Sequence, residues 1–221
     1  NRTMNALRRW IVAAAVACCL LLTGCATSRS EIKLSAPVTE AAAPTAADAK
    51  VVVIRTVTDE RVFEQAPRDP STPSLGFGGA EAATAEVKSR AIGRKRNTYG
   101  KALGDVLLEN GQTVEAVVRE NLTAALQQAG YRVQTEASSD AVAIDVRIKQ
   151  FWAWFQPGFW AIKLHTKIAT DLSVGDAAPI SVAIQVEDSR QIAADGAWIE
   201  IVDQALKDYR AAAAEQTRDR F

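Results

Sequence analysis

The sequence predicts a two-layer α+β domain: a mostly antiparallel sheet with two helices packed on one face and the other face open. Three observations predict it. Apolar residues alternate with polar ones through three successive segments near the C-terminal half. Two further segments repeat their apolar residues at helical spacing. An amphipathic helix and a one-sided sheet each need a partner layer, and two layers are the smallest arrangement that satisfies both.

The strands come first. Val142, Ile144, Val146 and Ile148 share one face, with Asp145, Arg147 and Lys149 opposite. Trp160, Ile162, Leu164, Ile168, Leu172 and Val174 repeat the pattern against Lys163, His165, Lys167 and Asp171. Ile180, Val182, Ile184 and Val186 form the third set, after a turn at 175–179. A β-branched run at 51–57 reads as a central strand buried on both faces. Ile32 and Leu34 alternate and could add a short edge strand. One helix is predicted over 113–129, with Val114, Val117, Val118, Leu122 and Leu126 on one face and Gly130-Tyr131 closing its C-terminus. A second starts near Asp195, with Trp198, Ile201, Val202, Ala205, Leu206 and Tyr209 as its apolar stripe. Residues 58–112 are rich in Pro and Gly and too long for a passive loop, so they are either functional or partly disordered.

The N-terminus carries an export signal. Arg8-Arg9 precede an apolar run at 10–22, too short to span a bilayer comfortably and of signal-peptide length. It ends Leu22-Thr23-Gly24-Cys25, an aliphatic residue and two small ones before a cysteine, as in a bacterial lipobox. The expected organisation is a signal peptide over 1–24, a lipidated Cys25 with a flexible tether to residue 50, and one periplasmic domain over 51–221 with 58–112 inserted in it. Ala26 rather than Asp follows the cysteine, which favours the periplasmic face of the outer membrane. Cleavage removes Cys18 and Cys19, so the mature domain has no free thiol and no disulfide. Of 26 basic residues the leader takes three, leaving 23 against 26 acidic, a net charge of −3. That balance gives no reason to expect nucleic acid.

No catalytic constellation emerges. His165 is the only histidine, and no mature cysteine stands with it, so Cys–His chemistry and a His-based metal cluster are excluded. Gly76-Phe77-Gly78-Gly79 does not sit in a strand-to-helix turn that would cradle phosphate. No cofactor and no enzymatic activity are expected.

Two segments point to binding. Residues 151–155, Phe-Trp-Ala-Trp-Phe, precede a turn at Pro157-Gly158. By parity, Trp152 and Trp154 continue the apolar face of Val142 to Ile148, and Trp154 pairs with Ile162. A two-residue loop would break that pairing, so the turn has three residues or carries a bulge. Phe151 and Phe155 then fall on the open face beside Lys163 and His165, either covered by 58–112 or free to contact a ligand. From residue 88 to 101 there are six cations and no acid, among them Arg94, Lys95 and Arg96, with Tyr99 as a candidate anchor. This is either a solvated loop or a contact for an anionic partner.

The lipobox, Asp59-x-Arg61 after the first strand, Asn97-x-Tyr99-Gly100, the helix ending Gly130-Tyr131, the three alternating strands and the final helix together resemble the YajG-like lipoproteins of Gram-negative bacteria. The resemblance covers most of residues 51–216. It implies an envelope lipoprotein without assigned enzymatic activity. The expectation is a binding or scaffold module for a periplasmic or outer-membrane protein. The alternative is a binder of peptidoglycan or anionic lipid through the aromatic and basic residues.

Overall fold

Val142–Gln156 forms the longest strand, β6, and the rest of the molecule is arranged around it. In the computed structural model, residues 28–38, 48–97, 99–158, 161–190 and 194–221 are described. The expected signal peptide, Cys25, Trp160 and part of the expected tether (26–27 and 39–47) lie outside them. The other elements in chain order are β1 (Ser30–Ile32), β2 (Val51–Asp59), α1 (Gly79–Ala82), α2 (Ala85–Arg90), β3 (Ala91–Arg96), β4 (Ala102–Leu108), α3 (Val114–Gln128), β5 (Arg132–Gln134), β7 (Ile162–Ser173), β8 (Ile180–Arg190) and α4 (Asp195–Thr217).

One edge of β6 is occupied along its length by antiparallel β7, which in turn pairs with β8. The other edge is shared. Parallel β2 takes the N-terminal half, from Val142 to Ile148, and β3 meets the C-terminal half at Gly93–Ala153. β4 pairs antiparallel with β3, β1 adds in parallel to β4, and β5 adds in parallel to β2. The α+β class holds, but the eight-stranded sheet is mixed rather than mostly antiparallel. The alternating segments 142–186 do form an antiparallel meander. Parallel pairings join β1 to β4, β3 to β6, and β2 to both β5 and β6; the link from β2 to β6 runs through 58–112 and α3, long enough for a crossover that a hairpin cannot make. Part of the expected tether is also sheet. β1 is docked, and the Gln112 side chain bonds both the N–H and the carbonyl of buried Leu34.

The helical layer follows the predicted stripes. Thr113 caps α3 by accepting from Ala116 N–H at 3.2 Å. Gly130, at φ 101°, turns the chain so that Tyr131 N–H reaches the Leu126 carbonyl at 3.0 Å. The Tyr131 hydroxyl donates to the Thr217 carbonyl at 2.7 Å, tying the two helix ends together. Trp198 on α4 is buried against the sheet, over Gly93. A Cβ at Gly93 would stand 2.8 Å from the Ala153 carbonyl oxygen and 3.4 Å from the Trp198 ring, so only glycine lets β3 approach β6 there.

The predicted register of the aromatic segment is inverted. From Asp145–Ser173 to Ile148–Thr170 the β6/β7 partners have an even sum; from Gln150–Ala169 to Gln156–Lys163 the sum is odd. The extra residue is Lys149, a β-bulge in the middle of β6 rather than at the hairpin. Beyond it the faces exchange. Phe151 and Phe155, 0% and 4% exposed, join the main core under the helices. Trp152 and Trp154 turn to the second face and build a smaller core with Leu75, Ala91 and Leu107. Phe151 and Phe155 are therefore buried in the main core rather than set on an open face, and of the two only Phe155 also lines the cleft described below. Trp154 pairs with His165, not Ile162.

The second face is covered over this half of β6 by chain from 58–112, which is ordered as two short helices and two strands among its described residues. Arg61 holds it down. Its guanidinium is fully buried, and all five donors are used: Nε and Nη2 on Asp59, Nη2 also on the Lys88 carbonyl, Nη1 on the Ala91 and Phe151 carbonyls, at 2.6 to 3.0 Å. The Asp59-x-Arg61 pair singled out in the sequence is thus a clamp between the end of β2 and the first residues past the bulge.

Because the bulge, not the Lys149 side chain, sets the register, deletion and substitution there should differ sharply. Deleting Lys149 places both tryptophans under the helices and should abolish cooperative urea unfolding. Lys149→Ala removes only an exposed pair with Glu60 and should cost less than about 1 kcal/mol by the same measurement.

Candidate ligand-binding cleft on the second face

Where the covering segment ends, β6, β7 and β8 leave a cleft of about 880 Å³ on the second face. Its floor is a cross-strand pair. Trp154 and His165 stack with ring centroids 5.0 Å apart and planes within 10°. One wall is the 68–73 loop. It is pinned to β6 by the Trp152 indole, which donates to the Pro70 carbonyl at 3.2 Å, and by the Gln150 amide, which donates to the Ser71 carbonyl at 3.3 Å. Lys167 and Gln185 close the opposite side, and Arg96 and Gly100 the end.

The lining carries more positive than negative charge. Arg68, Arg96, Lys149 and Lys167 stand against Asp69, and Lys149 is engaged by Glu60. Ser71 N–H caps Asp69 at 2.8 Å and is the main reason its carboxyl is held below the usual range. Burial pushes the Arg96 guanidinium below its ordinary value, and neighbouring Arg94 adds to this while Asp69 opposes it. Arg96 donates to the Gly100 carbonyl at 3.0 Å, and its buried Nε has no hydrogen-bond partner. His165 is 6% exposed, and neither ring nitrogen has a hydrogen-bond partner; Glu187 Oε2 stands 3.6 Å from Nδ1, beyond a hydrogen bond. Burial lowers the imidazole below its usual 6.5, outweighing the pull of Glu187 upward, and Lys163 lowers it further.

The predicted residues are only partly brought together. Phe155, His165 and Arg96 line the cleft. Lys163 is exposed on the same face, its ammonium 3.0 Å from Glu187. Arg94 is half-buried and structural, donating to the Leu75 carbonyl at 2.7 Å, and Lys95 donates to the Ser30 hydroxyl. The expected solvated run of cations therefore does not exist as one patch, because these residues are strand positions whose side chains reach neighbouring chain. Tyr99 stands apart on the β3–β4 turn, 93% exposed. Trp154, Gln150, Lys167, Gln185 and the 68–73 loop were not anticipated. A signal for them exists in the sequence: Lys149-Gln150 interrupts strict alternation, and five bulky or apolar residues in succession follow, the mark of a bulge before a doubly buried stretch.

The arrangement can bind and orient an anionic or hydrogen-bonding group. Among the described residues no group of three His, Cys, Asp or Glu could hold a metal ion, and no helix is long and apolar enough to cross a membrane.

No family model matches the chain, that of the YajG-like lipoproteins included, and no curated protein matches it. Among solved structures, one described only as an uncharacterized protein is similar at a TM-score of 0.45 and 12% identity, over 86% of this chain and 97% of its own. A protein of Xanthomonas campestris from the DUF330 family is similar at a TM-score of 0.45 and 13% identity, over 87% of this chain and 91% of its own.

The buried imidazole yields a pH prediction. Its pKa is lowered on folding, so the unfolded chain binds the proton more readily. The neutral ring's contribution to stability is complete above the unfolded pKa near 6.5 and is lost as pH falls toward the folded value. Urea unfolding from about pH 7 to pH 5 should show stability falling more steeply in the wild type than in His165→Gln. Equal slopes would mean that His165 is solvated.

Proposed function

We propose that this chain is a non-enzymatic lipoprotein of the YajG-like kind, anchored through Cys25 to the periplasmic face of the outer membrane, and that it acts as a binding module for a periplasmic or outer-membrane protein. The lipobox, the cysteine-free mature domain and the motif resemblance support the location. The observation that carries the binding role is the cleft: a preformed concavity whose cations outnumber its acids and whose walls are held by hydrogen bonds. Such a site suits an acidic segment of a partner, drawn in by charge and retained by contacts with the amides and rings.

A second reading is favoured by one feature. Gln150, Gln156 and Gln185 place three amides around the stacked Trp154–His165 pair, and amides beside aromatic rings hydrogen-bond and stack on sugars. A peptidoglycan strand would use these groups rather than a Phe151 and Phe155 pair.

Two experiments test this. Cys25→Ala should leave a folded domain that no longer sediments with outer membranes; quantitative sedimentation of the mutant would remove lipid as the anchor. A photo-cross-linking residue at Gln185 should capture a discrete protein partner in cells. Arg68→Glu/Lys167→Glu should reduce that capture at least about tenfold at low salt and less at high salt, because exposed charges are screened within about 10 Å at 0.1 M. Capture unaffected by the double reversal would move the site elsewhere, and retention on purified sacculi that the reversal abolishes would favour the glycan reading.

A further inference from the structure

We infer that one end of the domain, formed by the β3–β4 turn at Tyr99 and the Gly76–Gly79 turn at Phe77, lies against the lipid surface that holds the anchor; this rests on the lipidation of Cys25 proposed above. The inference begins with how firmly the chain is held just after that cysteine. Arg29 is ion-paired through Nε, at 3.0 Å, to Asp105, a carboxylate with no exposure at all. The same carboxylate accepts the Gly76 N–H at 2.7 Å, and the Arg29 guanidinium carbon lies 4.5 Å from the centre of the Phe77 ring. The next residues are β1, in register with β4 from Ser30–Val106 to Ile32–Leu108. Arg29 is only four residue steps from Cys25, a reach of at most about 14 Å even when fully extended. The acyl chains and the domain surface around Arg29 are therefore kept within one headgroup layer of each other, not separated by a long tether.

Direction matters as much as length. β1 runs parallel to β4, so the chain enters it from the end where β4 begins, at Ala102, beside the β3–β4 turn. That end carries the two exposed aromatic rings among the large hydrophobic side chains of the described residues, Tyr99 at 93% and Phe77 at 60%. Both are presented by built turns. Asn97 accepts from the backbone N–H of Tyr99 at 3.0 Å and of Lys101 at 2.9 Å, and it closes the turn with Lys101 through its own N–H at 2.9 Å. Phe77 has φ 56°, a left-handed conformation that L side chains adopt at a cost, between Gly76 and the positive-φ Gly78. Exposed Lys101 adds a cation beside Tyr99. Aromatic rings with a polar or cationic neighbour are the side chains that settle at a membrane interface, where the ring meets the acyl boundary and the charge meets phosphate. The turns between β7 and β8, by contrast, lie at the opposite end of β6, beyond Asp145–Ser173.

The test uses the full lipidated chain in vesicles of phosphatidylethanolamine and phosphatidylglycerol. Tyr99→Cys, Phe77→Cys and Asp176→Cys each supply the only free thiol of the mature protein, for labelling with an environment-sensitive fluorophore. Flotation and quenching by a headgroup-region nitroxide lipid are then measured. Labels at 99 and 77 should shift to the blue and be quenched several-fold more than the label at 176, in the exposed β7–β8 turn. Tyr99 is 93% exposed, so its variant reports even if loss of the Phe77 ring loosens its turn. A chain that floats with the vesicles while labels at 99 and 176 respond alike overturns the orientation and leaves the anchor intact. A chain that does not float overturns the anchor, and the orientation with it.

Discussion

One extra residue in β6 decides the use of both faces of the sheet. A strand of fifteen residues with strict alternation would bury one face and expose the other along its whole length. The bulge at Lys149 exchanges the faces halfway, so that Phe151 and Phe155 continue the helix-covered core while two tryptophans are thrust to the far side. Two indoles on a solvated face would be costly, and the covering segment exists to bury them. Arg61 makes the arrangement consistent. Its five donors span Asp59, α2, β3 and the carbonyl of Phe151, the first core residue of the exchanged register. A buried guanidinium is tolerated only when every donor is met and its charge is paired, and here both conditions are satisfied.

The cleft is a by-product of that cover. Pro70 and Ser71 are drawn onto β6 by the Trp152 indole and the Gln150 amide, both just past the bulge. The covering segment stops there, so the sheet beyond it keeps a polar, concave surface between the loop and β8. His165 sits at the boundary, stacked on Trp154 on one side and left without hydrogen-bond partners for its nitrogens. A buried polar ring whose nitrogens have no hydrogen-bond partner is unusual in a finished core, and it is this feature that singles out the cleft as the candidate site.

Charge in the basic segment is used in two ways that the linear pattern does not distinguish. Arg94 and Lys95 spend their donors on nearby chain and hold β1, β3 and the Gly76 turn together, while Arg96 turns into the cleft. Arg29 joins this set from the other side of the molecule's sequence, through the buried Asp105. The result is a domain in which the residues from Arg29 to Ile32 are locked into the sheet rather than hung from it.

By itself the sequence determined the local elements. The positions of both long helices, the Gly130-Tyr131 stop, the antiparallel strands and the short strand at Ile32 were legible because each depends on spacing or on a residue's own backbone preference. The tertiary structure decided which partner each strand took and which way the aromatic segment faced. Parity carries along a strand only until a bulge, and a bulge is stabilised by contacts distant in sequence, here Arg61 with Phe151. The parallel pairing of β2 and the cover of the second face are long-range choices as well, set by the clamp and the shared edge of β6. For that reason the candidate site moves from the Phe151 and Phe155 pair to Trp154, His165 and the loop at 68–73: the sequence drew attention to the aromatic segment, and only packing could choose its face.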